Sequence, residues 1–517
     1  MILWLACAPE VVVDSAAEPE ESRLVPLDAP RLLRRASLDL RGTLPSVAEL
    51  DAVEADPSTL DALVPTYLES ATTEDRLVAL LAERWHTVLD VYEVGTGDYG
   101  LPMEENDNFA HAVGEEPLRL VARVITEDLP YPTIVTADYT MANELLASVW
   151  PLDYPEGNEG WAPARYTDGR PAAGVLGTNG FYWRYVTNTS NKNRGRVAAI
   201  SRLLLCTDVL SRPVVFERSD DPDPEAAVRT EPTCLACHAA LDPVAAGLFG
   251  FWWTIQYNPY EMQVYHPERE RLGPELLDTE PGWYGTPTSG LVDMGWYIAR
   301  DPRFARCAAE SWAESLWRRP VGLDDYASVE QLRANYVANE ESPRSLLLDV
   351  LSTAEYRAND ARLLSPNQQR LLLEDLVDLE WTETNARGLE NDLTGYRVLA
   401  GGVDGYSVTR PQAEPGLTWM LVNQRVAQMA ASTLVARDLD QPDAALLTAP
   451  SSAVPGDAAF DAQLQVLYWQ LYAERPDEVW VSDIGTLWTT VSAEEGATEA
   501  WMAVIEAMLR DPLMVTE

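Results

Sequence analysis

The sequence predicts a mainly α protein, built as several helical domains joined by long irregular loops. Three observations carry that prediction. Apolar residues recur at helical spacing through many segments, cap-like residues stand ahead of several of them, and Pro/Gly-rich stretches rather than alternating strands lie between them. At 517 residues with 46% apolar content, 17 Trp and 21 Tyr, the chain can bury several cores.

Taken in order, Arg31 to Leu38 places apolar residues at helical spacing, and Pro45-Ser46 followed by Glu49 opens the next helix with a capping signal. A third helix is expected from Leu60 to Ser70, and a fourth from Thr73 to Tyr92 with Leu77, Leu80, Leu81 and Trp85 on one face. His86 shares that helix and reads as a hydrogen-bonded core or boundary histidine rather than a ligand. Gly95 to Gly100 and the acidic Glu104 to Asn108 read as one solvated loop, without the pattern of a calcium site. Helices are expected over 116–128 and 138–148, irregular chain over 151–171, and a helix over 193–211. Trp183 and Tyr185, with Asn188, Asn191 and Asn193, are candidates to line a cleft.

An acidic, Pro-broken linker from Ser219 to Glu225 leads to Cys234-Leu-Ala-Cys-His238, the one stretch that announces a chemistry. Two cysteines two residues apart, followed at once by histidine, is the spacing for covalent attachment of a c-type haem. The thiols of Cys234 and Cys237 would add to the porphyrin vinyls, and His238 would bind the iron. The same Cys-x-x-Cys also suits a redox or structural disulfide, or half a zinc site, although no second such pair is present. Beyond it, helices are expected near 291 and over 302–319, 326–338, 343–356, 366–379 and 417–436. Trp317 to Tyr356 and Tyr472 to Met514 form a loose internal repeat, and only the first copy follows a Cys-x-x-Cys-His.

With 82 acidic against 38 basic residues the net charge is −44, and Lys192 is the one lysine. Such a surface repels phosphate backbones, which argues against nucleic-acid binding; it reads first as a solvated, aggregation-resistant surface, with an acidic docking patch for a cationic redox partner as the alternative. No run of about 20 apolar residues occurs, so contact with a membrane is expected only through a lipid anchor. The opening Met1-Ile-Leu-Trp-Leu-Ala-Cys-Ala8 looks like the end of a lipoprotein signal with Cys7 as the lipidated residue; a frayed terminus is the plainer alternative. Cysteine usage then favours export to the periplasm or cell envelope, leaving Cys206 and Cys307 either as a disulfide or as two buried thiols.

Several segments resemble one family. Arg34 to Leu50, Arg170 to Leu176, Asn193 to Cys206, Pro232 to Pro243, and Asp301 to Cys307 with Trp317 to Pro320 are similar to motifs of the planctomycete-type cytochrome-like domains, exported bacterial proteins also found in myxobacteria. The resemblance implies a cytochrome c-like haem-binding segment in the middle of the chain. It departs from the family after Gly247, where Leu248-Phe-Gly-Phe-Trp-Trp253 replaces an acidic contact; Phe249, Phe251, Trp252 and Trp253 would suit a buried porphyrin edge or ordinary core.

The expected organisation is a leader and acidic linker over 1–22, a helical domain over 23–130, a loop-rich helical segment over 131–225, a haem-motif domain over 226–360 and a helical domain over 361–517. The expected function is electron transfer by an exported, lipid-anchored protein with one haem c. A haem enzyme or sensor with an open iron position, and a haem-free envelope scaffold, are the alternatives. For the sixth iron position the candidates are Met294, Met262, His266 and an open site.

Overall fold

Apolar periodicity becomes helix almost everywhere in the computed structural model, which describes residues 24–88, 99–211, 224–252, 264–379 and 396–517. The fold is mainly α with irregular loops. The expected leader with Cys7, most of the linker after Ser219, Trp253 and Met262 lie outside the described residues.

Helices α1 (Ala29–Arg41), α2 (Val47–Ala55), α3 (Leu60–Tyr67) and α4 (Thr73–Trp85) open the chain. Asp28 caps α1, and Ser46 with Glu49 closes the expected capping box on α2. The fourth helix stops seven residues short of the expected Tyr92, because His86 adopts the left-handed conformation at φ 53° and turns the chain.

Helix α5 (Asn106–Thr126) corrects the reading of its region, since it starts within the expected acidic loop and runs through Pro117. Pro117 has no N–H for the Val113 carbonyl, which would ordinarily break the helix. Here Gly180 packs so closely on Val113 O and the Pro117 ring that a β-carbon would collide with both. The helix expected over 138–148 is instead strand β1 (Thr140–Ala142) followed by a short helix over Glu144–Val149. With β2 (Leu152–Asp153) and β3 (Ala162–Tyr166) it makes a small antiparallel sheet in the order β1-β3-β2, with Thr140 opposite Ala164 and Leu152 opposite Tyr166.

Helices α6 (Arg194–Leu205), α7 (Pro224–Thr230) and α8 (Pro232–Ala246) follow. After an irregular stretch come α9 (Leu291–Arg300), α10 (Pro302–Trp317), α11 (Tyr326–Ala338) and α12 (Pro343–Ser352). The last part of the chain holds α13 (Pro366–Val377), α14 (Leu417–Asp438), α15 (Ala458–Tyr472), α16 (Glu478–Glu495) and α17 (Ala497–Arg510). Among the described residues no helix is long and apolar enough to cross a membrane.

Two hydrophobic cores organise these elements. The first draws on all three segments expected over 23–360, with Leu33, Val121, Ile134, Leu204, Leu248, Trp312 and Leu346 among its buried members. The second is built from α13 to α17, around Leu376, Ala430, Leu464 and Trp501. Helix α1 serves both, giving Leu33 and Leu40 to the first and Leu38 to the second.

The repeat has a structural counterpart. Helix α10 ends at Trp317 and α15 at Tyr472; Arg318 and Ala473 follow in the left-handed conformation, and two helices and a final short turn complete each unit. Each unit closes with a single β-bridge, Pro26 to Ala358 in the first half and Leu363 to Thr516 in the second.

Buried arginines fasten these units. Arg34 donates to the carbonyls of Leu471, Met514 and Thr516, each at 2.8 Å. Arg35 donates to those of Tyr356 at 2.6 Å, Ala358 at 2.7 Å, Asp360 at 2.8 Å and Glu517 at 2.9 Å. Arg362 donates to Leu316, Glu355 and Tyr356. The Arg34-Arg35 pair thus satisfies backbone acceptors at the ends of both repeats, and its role is to join the two cores.

Candidate haem-attachment helix

The stretch from Cys234 to His238 lies wholly within α8. Pro232 stands in the first turn, where its missing N–H costs nothing, and the Ala-rich run that follows is a good helix former. Pro243 lies inside the helix, and Gly247 caps its end. At about 100° per residue, Cys234, Cys237 and His238 fall within an arc of about 100° on one face. All three are half-buried, and the two cysteines stand as separate thiols.

One turn further on, Asp242 continues the same face. Its Oδ1 lies 3.0 Å from His238 Nδ1. Arg194, at the start of α6, grips the same carboxylate with two hydrogen bonds, Nε to Oδ1 at 2.8 Å and Nη2 to Oδ2 at 2.9 Å. Glu225 on α7 pairs with Arg194 at 3.1 Å and with Lys192 at 2.9 Å. Burial alone would push the Asp242 carboxyl up, but the hydrogen bonds from His238 and Arg194 outweigh it and hold the group below the usual carboxylate range. The carboxylate that faces His238 Nδ1 is thus held by Arg194 of α6, which Glu225 of α7 holds in turn.

Asp242, Arg194, Glu225 and Lys192 received no role from the sequence. The signal was present for Asp242, because a carboxylate four residues after a histidine in a helix is within reach of it. No local pattern pointed to the other three, which arrive from a different part of the chain.

Met294, on α9, is fully buried, and its Cε packs against Gly247, 3.0 Å from where a β-carbon would stand. Gly247 lies nine residues beyond His238, roughly 13 Å along the helix axis at about 1.5 Å per residue. The structure does not bring Met294 to His238. His266 pairs with Glu268, Nδ1 to Oε1 at 3.1 Å. Cys206 and Cys307 are joined by a disulfide with Cα atoms 5.1 Å apart, tying the end of α6 to α10.

Phe249, Phe251 and Trp252 are buried in the first core; Phe251 stacks on Tyr182 with centroids 3.9 Å apart, and Phe249 stacks on Trp252 at 4.6 Å. Trp183 and Tyr185 are core residues as well. Asn188, Asn191 and Asn193 shape the turn into α6: Asn188 Oδ1 accepts from Asn191 N, Asn191 Oδ1 accepts from Gly195 N, and buried Asn193 accepts from Arg196. They build backbone rather than a cleft. His86 Nε2 lies 3.2 Å from Thr409 O, and burial pulls its pKa down to about 4. Among the described residues, no group of three or more His, Cys, Asp and Glu side chains is arranged to hold a metal ion.

Another buried carboxylate lies elsewhere in the first core. Glu116 accepts from Thr140 Oγ1 at 2.9 Å, Tyr166 Oη at 2.6 Å and Gly180 N at 2.9 Å. Burial nevertheless pushes its pKa up to about 7.

Residues 284–356, from just before α9 to the end of the first repeat, match a family described as "Protein of unknown function (DUF1585)". Nothing among the curated proteins or the solved structures matches the chain.

Proposed function

We propose that this protein carries one c-type haem, bound covalently to Cys234 and Cys237 with His238 on the iron, and that it transfers electrons. When bound, the haem supplies a centre that takes up and releases one electron. The observation that carries the reading is the shared half-buried face of α8, on which two free thiols and a histidine follow one another while Asp242 occupies the histidine's Nδ1. The donor set fits the group: two thiols suit two thioether bonds, and Nε2 is left to bind iron. The chain's part is to hold His238 in one orientation, through Asp242 and the Arg194 clamp.

Export and anchoring through a lipid on Cys7 belong to the same reading, supported by the Cys206–Cys307 disulfide, which suits an oxidising compartment. The resemblance to planctomycete-type cytochrome-like domains supports the haem reading, and the family match over residues 284–356 agrees with that resemblance. The acidic surface, at net charge −44, suits a cationic redox partner.

Reversible one-electron titration of protein matured with a cytochrome c assembly system tests the transfer role. Haem that cannot be cycled between ferric and ferrous forms would refute it. A second reading, a haem enzyme or sensor with an open iron position, is favoured by one observation: Met294 packs at the far end of α8 from His238. Rapid carbon monoxide binding to the ferrous form supports that reading, and absence of binding supports a six-coordinate carrier.

A further inference from the structure

We propose that Asp242 is a positioning residue that makes His238 an electron-rich iron ligand and so biases the haem toward the ferric state. This inference rests on the haem reading above and adds to it the control of the iron's potential. It starts from the partner on the far side of the imidazole. A carboxylate accepts only, so the 3.0 Å contact between His238 Nδ1 and Asp242 Oδ1 puts the ring proton on Nδ1 and the free lone pair on Nε2. That selects the nitrogen that binds iron. It also raises the basicity of that nitrogen, because an ionised carboxylate, although shared with Arg194, is a stronger acceptor for the N–H than a neutral carbonyl.

The pair is rigid for reasons visible in the fold. His238 and Asp242 are one turn apart on the same helix, so their backbones cannot drift relative to each other. Asp242 is 7% exposed and its carboxylate cannot rotate away, since Arg194 holds both of its oxygens. Arg194 offsets part of the charge that His238 meets, and Glu225 shares the same guanidinium from α7. Lys192 closes the far end of the chain on Glu225 at 2.9 Å. The one lysine of the sequence is thus part of an ion-pair network that ends at the histidine.

The consequence follows from charge. Ferric iron takes up one electron to become ferrous, and in a titration the electron comes from a redox mediator that is oxidised in step. Electron density pushed from Nε2 stabilises the more positive ferric state, which disfavours that uptake. Removing the charge from residue 242 while keeping its shape should relax the bias.

The experiment compares haem-matured wild type with Asp242→Asn and Asp242→Glu at fixed mediator potential, after haem content has been measured in all three. The expected result is a shift of about tenfold toward ferrous haem in Asp242→Asn, equivalent to about 59 mV for a one-electron couple, with partial recovery in Asp242→Glu. A readout on the wild type alone guards against misfolded variants: in the cyanide-bound ferric protein, the His238 Nδ1 proton should exchange slowly with solvent. Equal potentials in three haem-loaded proteins, or rapid exchange of that proton, would overturn the role of Asp242 and leave the haem reading standing. Wild type without covalent haem would remove the haem reading itself, and this inference with it.

Discussion

Arg34 and Arg362 do the same work in opposite directions: Arg34, in the first half of the chain, donates to the carbonyl of Leu471, and Arg362, at the start of the second half, donates to that of Leu316. Leu316 and Leu471 occupy matching positions, one residue before the helix-ending Trp317 and Tyr472. Each guanidinium also reaches the close of the same unit, Arg34 at Met514 and Arg362 at Tyr356. The second core is therefore pinned to α1 by a side chain far away in sequence, and neither core is closed without the other half of the chain.

Replacing Arg34 by Ala should be costly. Its three acceptors lie in or near the core, and burial lowers the guanidinium's pKa to about 10, so little solvent is at hand to replace the lost bonds. A loss of about 3 kcal/mol or more is expected by urea unfolding, with Arg34→Lys recovering only part because an ammonium cannot reach three carbonyls in a fork. A change under about 1 kcal/mol would show that the clamp is incidental.

Stability should also depend on pH through Glu116. Its pKa is about 7 in the fold against 4.5 for the ordinary side chain, so between these values the folded protein keeps a proton that the unfolded chain sheds. The contribution is fully present below pH 4.5 and is lost as pH rises through about 7, amounting to on the order of 3 kcal/mol. Unfolding measured at about pH 5 and about pH 8 in wild type and Glu116→Gln isolates it. The wild type should lose the extra stability at the higher pH and the variant should not. Parallel profiles would contradict the assignment.

Much of the local architecture was legible in the sequence. The capping box of Ser46 and Glu49, the start of α10 at Pro302 and the start of α13 at Pro366 depend on neighbours a few residues away. So does the haem-type spacing of Cys234, Cys237 and His238. Misreadings arise where a distant segment decides the outcome. Pro117 lies near the expected start of a helix at 116, yet the helix begins ten residues earlier and runs through it, with Gly180 packed against that turn; Thr140 to Ala142 became a strand because Ala162 to Ala164 pairs with it. Asp242 sat within sight of His238, whereas Arg194, Glu225 and the crossed arginines could only be found once the chain was folded.

Met294 marks the same limit, and its placement makes a prediction. A fully buried thioether packed on Gly247 is core, so Met294→Ala should cost about 2–4 kcal/mol in unfolding experiments. In haem-loaded protein the spectrum and potential should stay at their wild-type values. A lowered potential together with new carbon monoxide binding would return Met294 to the iron and require α9 to move toward His238.

The central claim is the covalent haem on α8, and its most direct test is a pyridine haemochrome assay on protein produced beside a cytochrome c maturation system. Wild type should yield about one haem c per chain, retained through denaturation, while the Cys234→Ala, Cys237→Ala double variant retains none. Folded wild-type protein that emerges from the same system with both thiols of Cys234 and Cys237 still free to alkylate, and no haem bound, would contradict the account.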